Sequence, residues 1–351
     1  MKIISVAGAR PQFIKLAPLS RSLNMEHNEI IVHTGQHYDD AMSENFFREL
    51  GINKPKYNLS VGSGSHGVQT GNMLIGLDKI LSSEQPDAVV VFGDTNSTLA
   101  GALSAVKFHI PVIHIEAGLR SYNRTMPEEI NRIATDHVSD FLFAPTQIAL
   151  NILTKEGLKD RSYLTGDIMV DTITLNLETA LKKSDILSKL SISAGKYYLV
   201  TLHRPYNVDE PESLQSILNT LGKLNKKVVF PIHPRTRKNI QTFNIDVNSN
   251  VILTDPAGYY DFISLEYHSD KILTDSGGIQ KEAYILRKPC ITFRPETEWI
   301  ETVEDGWNIL IDPTSKECIE KIESFDPKSK QSDVFGNNVS TKMVELINKL
   351  I

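Results

Sequence analysis

Short apolar runs that stop at a glycine or a polar turn alternate along this chain with stretches of helical period. The runs are KIISVAG (2–8), EIIVHTG (29–35), DAVVVFGD (87–94), PVIHIEAG (111–118), FLFAPT (141–146) and YLTGD (163–167). A second set follows: YYLVTLH (197–203), KVVFPIH (227–233), VILTDP (251–256), KILTDSGG (271–278), CITFRP (290–295) and NILIDP (308–313). Strands covered on both faces read as continuous apolar runs, so the alternation predicts β-α units and parallel sheets. Six strands and then six more predict an α/β fold of two Rossmann-like doubly wound lobes, with the ligand in the inter-lobe cleft. The first lobe is read over 1–167. The polar, helix-patterned stretch 168–196 (LETALKKSDILSKLS within it) is read as a linker helix, and the second lobe over 197–337. Over 338–351, Val339, Met343, Leu346, Ile347 and Leu350 recur at helical spacing, which predicts a closing helix.

A length of 351 residues suits two domains with a core each. Lys and Arg total 37 against 43 Asp and Glu, a formal charge of −6 that argues against a nucleic-acid partner. The two cysteines, Cys290 and Cys318, have no C-x-x-C spacing and make no disulfide framework. MKIISVAGARPQF reads as strand and loop rather than as a signal peptide, and no run approaches the ~18 apolar residues of a membrane span. The expectation is a cytoplasmic protein with no membrane partner.

Chemistry concentrates where strands end. Asp94 and Glu116 directly follow apolar runs, and Glu128 lies close behind in HIEAGLRSYNRTMPEEINR. In an open α/β sheet ligands bind outside the carboxyl ends of the strands, so clustered acids there suggest proton transfer or a metal. The plainer reading is capping or ion pairing, with Arg120, Arg124 and Arg132 in range of Glu116 and Glu128. Asp94 ends a buried strand with no obvious partner, which sets it apart.

TDSGGIQKEA (274–283) follows a strand and opens a helix. Gly277 and Gly278 permit close backbone approach, Ser276 adds a hydroxyl, and free N–H groups there attract an anion such as a diphosphate. Glu282 is suited to accepting ribose hydroxyls; the plainer reading is a turn kept for chain geometry. In GARPQFIK (8–15), Arg10 and Lys15 are cations near a helix start, where the dipole disfavours them unless an anion is present. GSGSHG (62–67) matches G-x-G-x-x-G, but it follows a weak strand and Asp87 precedes its strand; it is read as a flexible loop without NAD. None of the ten histidines forms H-x-x-x-H or H-E-x-x-H, so no metal is expected. His203, ending the first strand of the second lobe beside Arg204, is the exception proposed for acid or phosphate chemistry.

The ordered motifs GARPQFIKLAP, HTGQHYD, GDTNSTLAGAL, HIEAGLRS, MPEEINR, FAPT, TLHRP and TDSGGIQKEA resemble the non-hydrolysing UDP-N-acetylglucosamine 2-epimerase family, from residue 2 to about 313. The resemblance implies a glycosyltransferase-B type fold whose last helix returns to the first lobe, a homodimer, and inversion at C2 of a UDP-2-acetamido sugar without NAD or metal. It implies acid/base roles for Asp94, Glu116 and Glu128 and an active-site role for His203. It further implies UDP contacts from Arg10, Lys15, Ser276, Gly277, Gly278 and Glu282, with Phe262 near the uracil.

Three departures from the family pattern bear on the sugar and on activation by substrate. TEWIE puts Trp299 where many members have an arginine that touches the ligand, with Arg294 five residues earlier as a substitute. Ala257 stands where glutamine is common. GQHYDD replaces the GQHRE of members activated by their own substrate. GARPQFIK, GQHYD, SYNRTMPEEINR and TEW are similar to the branch acting on UDP-2,3-diacetamido-2,3-dideoxyglucuronate. The resemblance thus implies a UDP-GlcNAc 2-epimerase, with the diacetamido uronate as alternative substrate. A hydrolysing relative, a glycosyltransferase of the same fold and a non-catalytic nucleotide-sugar sensor are the other readings; the three acids speak against the sensor.

Overall fold

The structure is a computed structural model, and the residues it describes are 1–36, 47, 48 and 50–351. Among them the strands form two sheets, every pairing parallel. The first contains β1 (Lys2–Ala7), β2 (Asn28–His33), β3 (Tyr57–Asn58), β4 (Ala88–Phe92), β5 (Val112–Ile115), β6 (Phe141–Ala144) and β7 (Ser162–Leu164), in the order β3-β2-β1-β4-β5-β6-β7. The second contains β8 (Tyr197–Thr201), β9 (Lys227–Pro231), β10 (Val251–Thr254), β11 (Lys271–Thr274), β12 (Cys290–Thr292) and β13 (Asn308–Leu310), in the order β10-β9-β8-β11-β12-β13. Both orders are the doubly wound arrangement, with helices on the crossovers. Each of the twelve apolar runs supplies one strand. The addition is β3, a two-residue edge strand too short to carry a period.

The sheets are apolar throughout because helices cover them. Val89 and Val91 of β4 pack with Ile4, Val6, Leu77 and Ala102 in one core, while Val200, Phe230, Leu273 and Ile291 anchor another around the second sheet. Polar residues start the helices. Thr95 accepts from the backbone N–H of Thr98 at 3.3 Å to begin the helix Asn96–Lys107, and Thr146 does the same for Ala149 at the start of Gln147–Lys155.

The chain divides into two compact units, Met1–Thr172 with Asp333–Ile351, and Ile173–Ser332. The division falls inside the helix Met169–Lys183. The helix Val339–Leu350 packs on Arg10–Leu23 of the first unit. The Asp171 carboxylate fastens its start, accepting from the backbone N–H of Val339 at 3.1 Å and of Ser340 at 2.7 Å. Among the described residues no helix is long and apolar enough to cross a membrane.

Candidate functional site

In the first unit the strand order reverses between β1 and β4, which pair from Ile3↔Ala88 to Val6↔Val91. The crevice beyond the carboxyl ends at such a reversal is where α/β sheets bind ligands. Arg10 opens the helix after β1, Asp94 follows β4, and Glu116 follows β5. Gln12 joins the two turns at the reversal: its Oε1 accepts from Gly8 N at 2.8 Å, and its Nε2 donates to the Phe92 carbonyl at 2.9 Å.

Lys15 and Glu116 form an ion pair over Gly93, whose φ is +66°. A Cβ on Gly93 would lie 3.1 Å from Glu116 Oε2, so glycine is what lets the pair settle there. Glu116 itself has a φ of +72°, a left-handed backbone that costs a branched or acidic residue energy and is concentrated at working sites. Asp94 pairs with Arg132, which also holds Glu129 at 3.2 Å, and Asn131 Nδ2 donates to the Asp94 carbonyl at 3.0 Å. Burial raises the Asp94 carboxyl above its usual range; the Arg132 and Lys15 charges oppose this and the Glu116 charge adds to it.

Lys15, Asp94 and Glu116 are therefore electrostatic neighbours. Glu128 stands apart from that contact set: it is half-buried in the first turn of Pro127–Val138, one turn before Arg132, and has no ion-pair partner among the described residues. Two expectations are corrected. Asp94 is not an unpartnered acid, since Arg132 reaches it from 38 residues along the chain. The arginines of this window find other acids: Arg120 pairs with Asp136 and Glu156, and Arg132 with Asp94 and Glu129.

Beneath the acidic turns lies a buried network. His114 Nδ1 is 2.7 Å from Asp136 Oδ1, and its Nε2 is 2.7 Å from the Gly93 carbonyl. Asp136 Oδ2 accepts from Gly118 N at 3.1 Å and pairs with Arg120 at 2.7 Å. One carboxylate thus braces the residue two beyond Glu116, and through His114 the residue before Asp94.

The second unit repeats the plan. Its order reverses between β8 and β11, which are joined beyond their backbone ladder by Thr201 and Thr274 hydroxyls 2.6 Å apart. Asp275, fully buried after β11, accepts from the backbone N–H groups of His203 at 3.0 Å and Arg204 at 2.9 Å, and from Asn207 Nδ2 at 3.0 Å. It also lies 2.9 Å from His203 Nδ1, whose ring is exposed. Burial would raise Asp275, but the bonds from His203, Asn207 and Arg204 hold it below the usual carboxylate range. The Asp275 carboxylate thus orients the His203 ring through Nδ1.

Ser276 precedes the helix Gly277–Ile285. A Cβ at Gly277 would come within 2.1 Å of Glu298 Oε1, so no larger residue fits without displacing that carboxylate. Gly278 is exposed, and Glu282 lies one turn further on. Phe262 packs beside Ile279 on the core of Tyr197, Leu265 and Cys290. Arg294 is paired with Glu298 at 2.8 Å and, with Tyr206, Asn207 and Phe293, lines a cavity of 350 Å³. Trp299 is buried, its ring 4.2 Å from Lys281 Nζ, so it acts as a packing surface for a cation rather than as one.

Asp275 and Asp136 were missed from the sequence. Asp275 follows β11 as closely as Asp94 follows β4, so the same strand-end signal applied to TDSGG would have found it. Asp136, mid-helix in PEEINRIATDHV, gives no such signal. GQHYDD lies outside the described residues from 37 onward.

Two Rossmann-like units, each with polar groups gathered at its sheet reversal, make a fold of the glycosyltransferase-B type. The family model described as UDP-N-acetylglucosamine 2-epimerase matches residues 21–348. A UDP-N-acetylglucosamine 2-epimerase homolog of Methanococcus maripaludis is 50% identical, covering 100% of both chains. The UDP-2,3-diacetamido-2,3-dideoxy-D-glucuronate 2-epimerase of Pseudomonas aeruginosa is 44% identical, again over 100% of both. The crystal structure of Methanocaldococcus jannaschii UDP-GlcNAc 2-epimerase in complex with UDP-GlcNAc and UDP superposes with a TM-score of 0.88 at 44% identity, covering 99% of each chain. The chain belongs to the UDP-N-acetylglucosamine 2-epimerase family.

Proposed function

We propose that the protein is an isomerase that interconverts UDP-GlcNAc and UDP-ManNAc without hydrolysing them. The observation that carries this is the grouping of Lys15, Asp94 and Glu116 at the first sheet reversal, with Asp94 shifted upward. A carboxylate takes the C2 proton while the C1–O bond to UDP breaks, and the electron pair left at C2 forms the C1=C2 bond of a 2-acetamidoglucal. Re-addition of UDP at C1, with a proton delivered to the opposite face of C2, completes the inversion. C2–H is weakly acidic, so a carboxylate of raised pKa suits the step better than an ordinary one. Glu128 shares the proton duty in this reading.

Arg10, Ser276, Gly277, Gly278, Glu282 and Phe262 bind UDP. Arg294 and His203 meet its phosphates, and N–H groups at the start of Gly277–Ile285 stabilise the charge as the diphosphate leaves. The net reaction is redox-neutral and calls for no cofactor. The protein works in the cytoplasm as a homodimer, supplying sugar for surface polysaccharide. Trp299 and the full-length likeness to the Pseudomonas enzyme favour a second reading, C2 epimerisation of UDP-2,3-diacetamido-2,3-dideoxyglucuronate.

Incubation with each sugar nucleotide in D2O, followed at C2 by NMR, tests both. Deuterium at C2 with the UDP linkage intact supports epimerisation, and the sugar that exchanges faster is the substrate. Free UDP with free sugar would indicate hydrolysis, and no exchange with either sugar would remove the reading.

A further inference from the structure

The helix Tyr259–His268 carries a side chain that the reaction above does not use. Glu266 is fully buried, and neither of its carboxyl oxygens receives a hydrogen bond from a donor. Its neighbour is the carboxyl of Glu282 on the helix Gly277–Ile285. An isolated buried carboxylate costs several kcal/mol, and two facing each other cost more. Two carboxyls in contact are stable only with a proton between them, one acting as donor and the other as acceptor.

Among the described residues no donor reaches either Glu266 oxygen. The Tyr197 hydroxyl gives its hydrogen to the Leu265 carbonyl at 2.6 Å, and His268 Nδ1 sits 2.9 Å from the Ser264 carbonyl. Cys290 is a buried thiol 3.8 Å from the Thr292 hydroxyl, its pKa pushed up to about 12 by burial. The Lys281 ammonium is stacked over Trp299. The proton therefore belongs to the pair. Glu266 is the more deeply enclosed member, and Lys281 beside Glu282 favours charge on the latter.

We propose that Glu266 is a positioning residue: as a neutral carboxylic acid it donates to the Glu282 carboxylate and fixes it for the two ribose hydroxyls of the nucleotide. This rests on the reading that Glu282 binds ribose. Without the donor, Glu282 would lose both its orientation and the proton that makes its own charge tolerable.

The test compares wild type, Glu266→Gln and Glu266→Leu. Glutamine keeps a donor in place; leucine fills the space without one and suits the apolar surroundings. We expect E266L to weaken UDP binding and raise KM by about tenfold or more while kcat stays within about threefold, with E266Q close to wild type. 2′,3′-Dideoxy-UDP should bind wild type and E266L alike, a contrast that general loosening of the fold would not produce. Wild-type UDP affinity in E266L, or equal losses in E266Q and E266L, would overturn the proposal. Infrared difference spectra of the ligand-free protein supply an arm independent of substrate. A protonated-carboxyl stretch at neutral pH that vanishes in E266L supports the pair, and its absence from the wild type rejects it. If the wild type binds no UDP, the functional reading and the ribose role of Glu282 fall, and the infrared arm still decides the shared proton.

Discussion

His114 and Asp136 meet at 2.7 Å with neither side chain reached by solvent, and the contact fixes the orientation of the ring. The other ring nitrogen lies 2.7 Å from the Gly93 carbonyl, so the ring bridges Asp136 to the turn before Asp94. The Arg120 charge is balanced by Asp136 and Glu156. Removing Asp136 takes a buried counter-charge from Arg120 and a hydrogen-bond partner from His114. Asp136→Leu should destabilise the protein by about 3–5 kcal/mol, read from denaturant unfolding, and Asp136→Asn should fold but lose kcat more than UDP affinity. Unchanged kcat in Asp136→Asn would show that bracing Gly93 and Gly118 does not matter to the chemistry.

The same contact sets an acid limit on stability. Burial would raise Asp136, yet the His114 bond and the Arg120 charge hold it below the usual carboxylate range. A carboxyl depressed in the folded state contributes stability that is complete above its unfolded value of about 4 and is lost as pH falls toward the lower folded value. Wild-type unfolding midpoints should therefore drop more steeply below about pH 4 than those of Asp136→Asn.

Asp94→Asn should abolish C2 deuterium exchange and leave UDP affinity nearly unchanged, since the contacts proposed for the nucleotide do not include Asp94. Calorimetric titration with UDP alongside the NMR assay checks both halves. Exchange at the wild-type rate would exclude Asp94 as an acid or base.

The raised pKa of Asp94 predicts a displaced acid limb in the pH profile of kcat/KM. A base must be ionised to act, so activity should fall, with decreasing pH, at a value above the ordinary carboxylate range. Arg132 opposes the upward shift, so Arg132→Gln should move that limb to higher pH. A limb that stays put would mean that another group controls the step.

Two glycines with similar backbones should respond differently to alanine. Gly118 has φ +86° and a Cβ there would meet the Ala149 carbonyl at 2.5 Å, whereas Gly157, at φ +79°, has open space. Gly157→Ala should cost about 1 kcal/mol and Gly118→Ala about 2–3 kcal/mol or more, with a loss of activity only for the latter. Thermal unfolding and initial rates measure both.

The fold was legible because the interior strands are short, mostly apolar runs closed by a turn, a signal that needs only neighbours in sequence. Asp94 and Glu116 were legible for the same reason: a carboxylate at the end of such a run stands out. What escaped was pairing across long stretches of chain. Nothing near Arg132 marks Asp94 as its partner, and Glu266 in DFISLEYHSD looks like any solvated helix acid until the sheet covers it. Trp299 was read by what it replaces; its burial beneath Lys281 depends on contacts that spacing does not encode.

The helix Val339–Leu350 also bears on how the protein is made. A ribosome emits the whole second unit before it emits the segment that covers Arg10–Leu23 and receives the Asp171 cap. The nascent first unit must wait through that interval with an apolar stripe uncovered. A chain stalled or cleaved before residue 333 would keep that stripe, a binding surface for chaperones and for other unfinished copies.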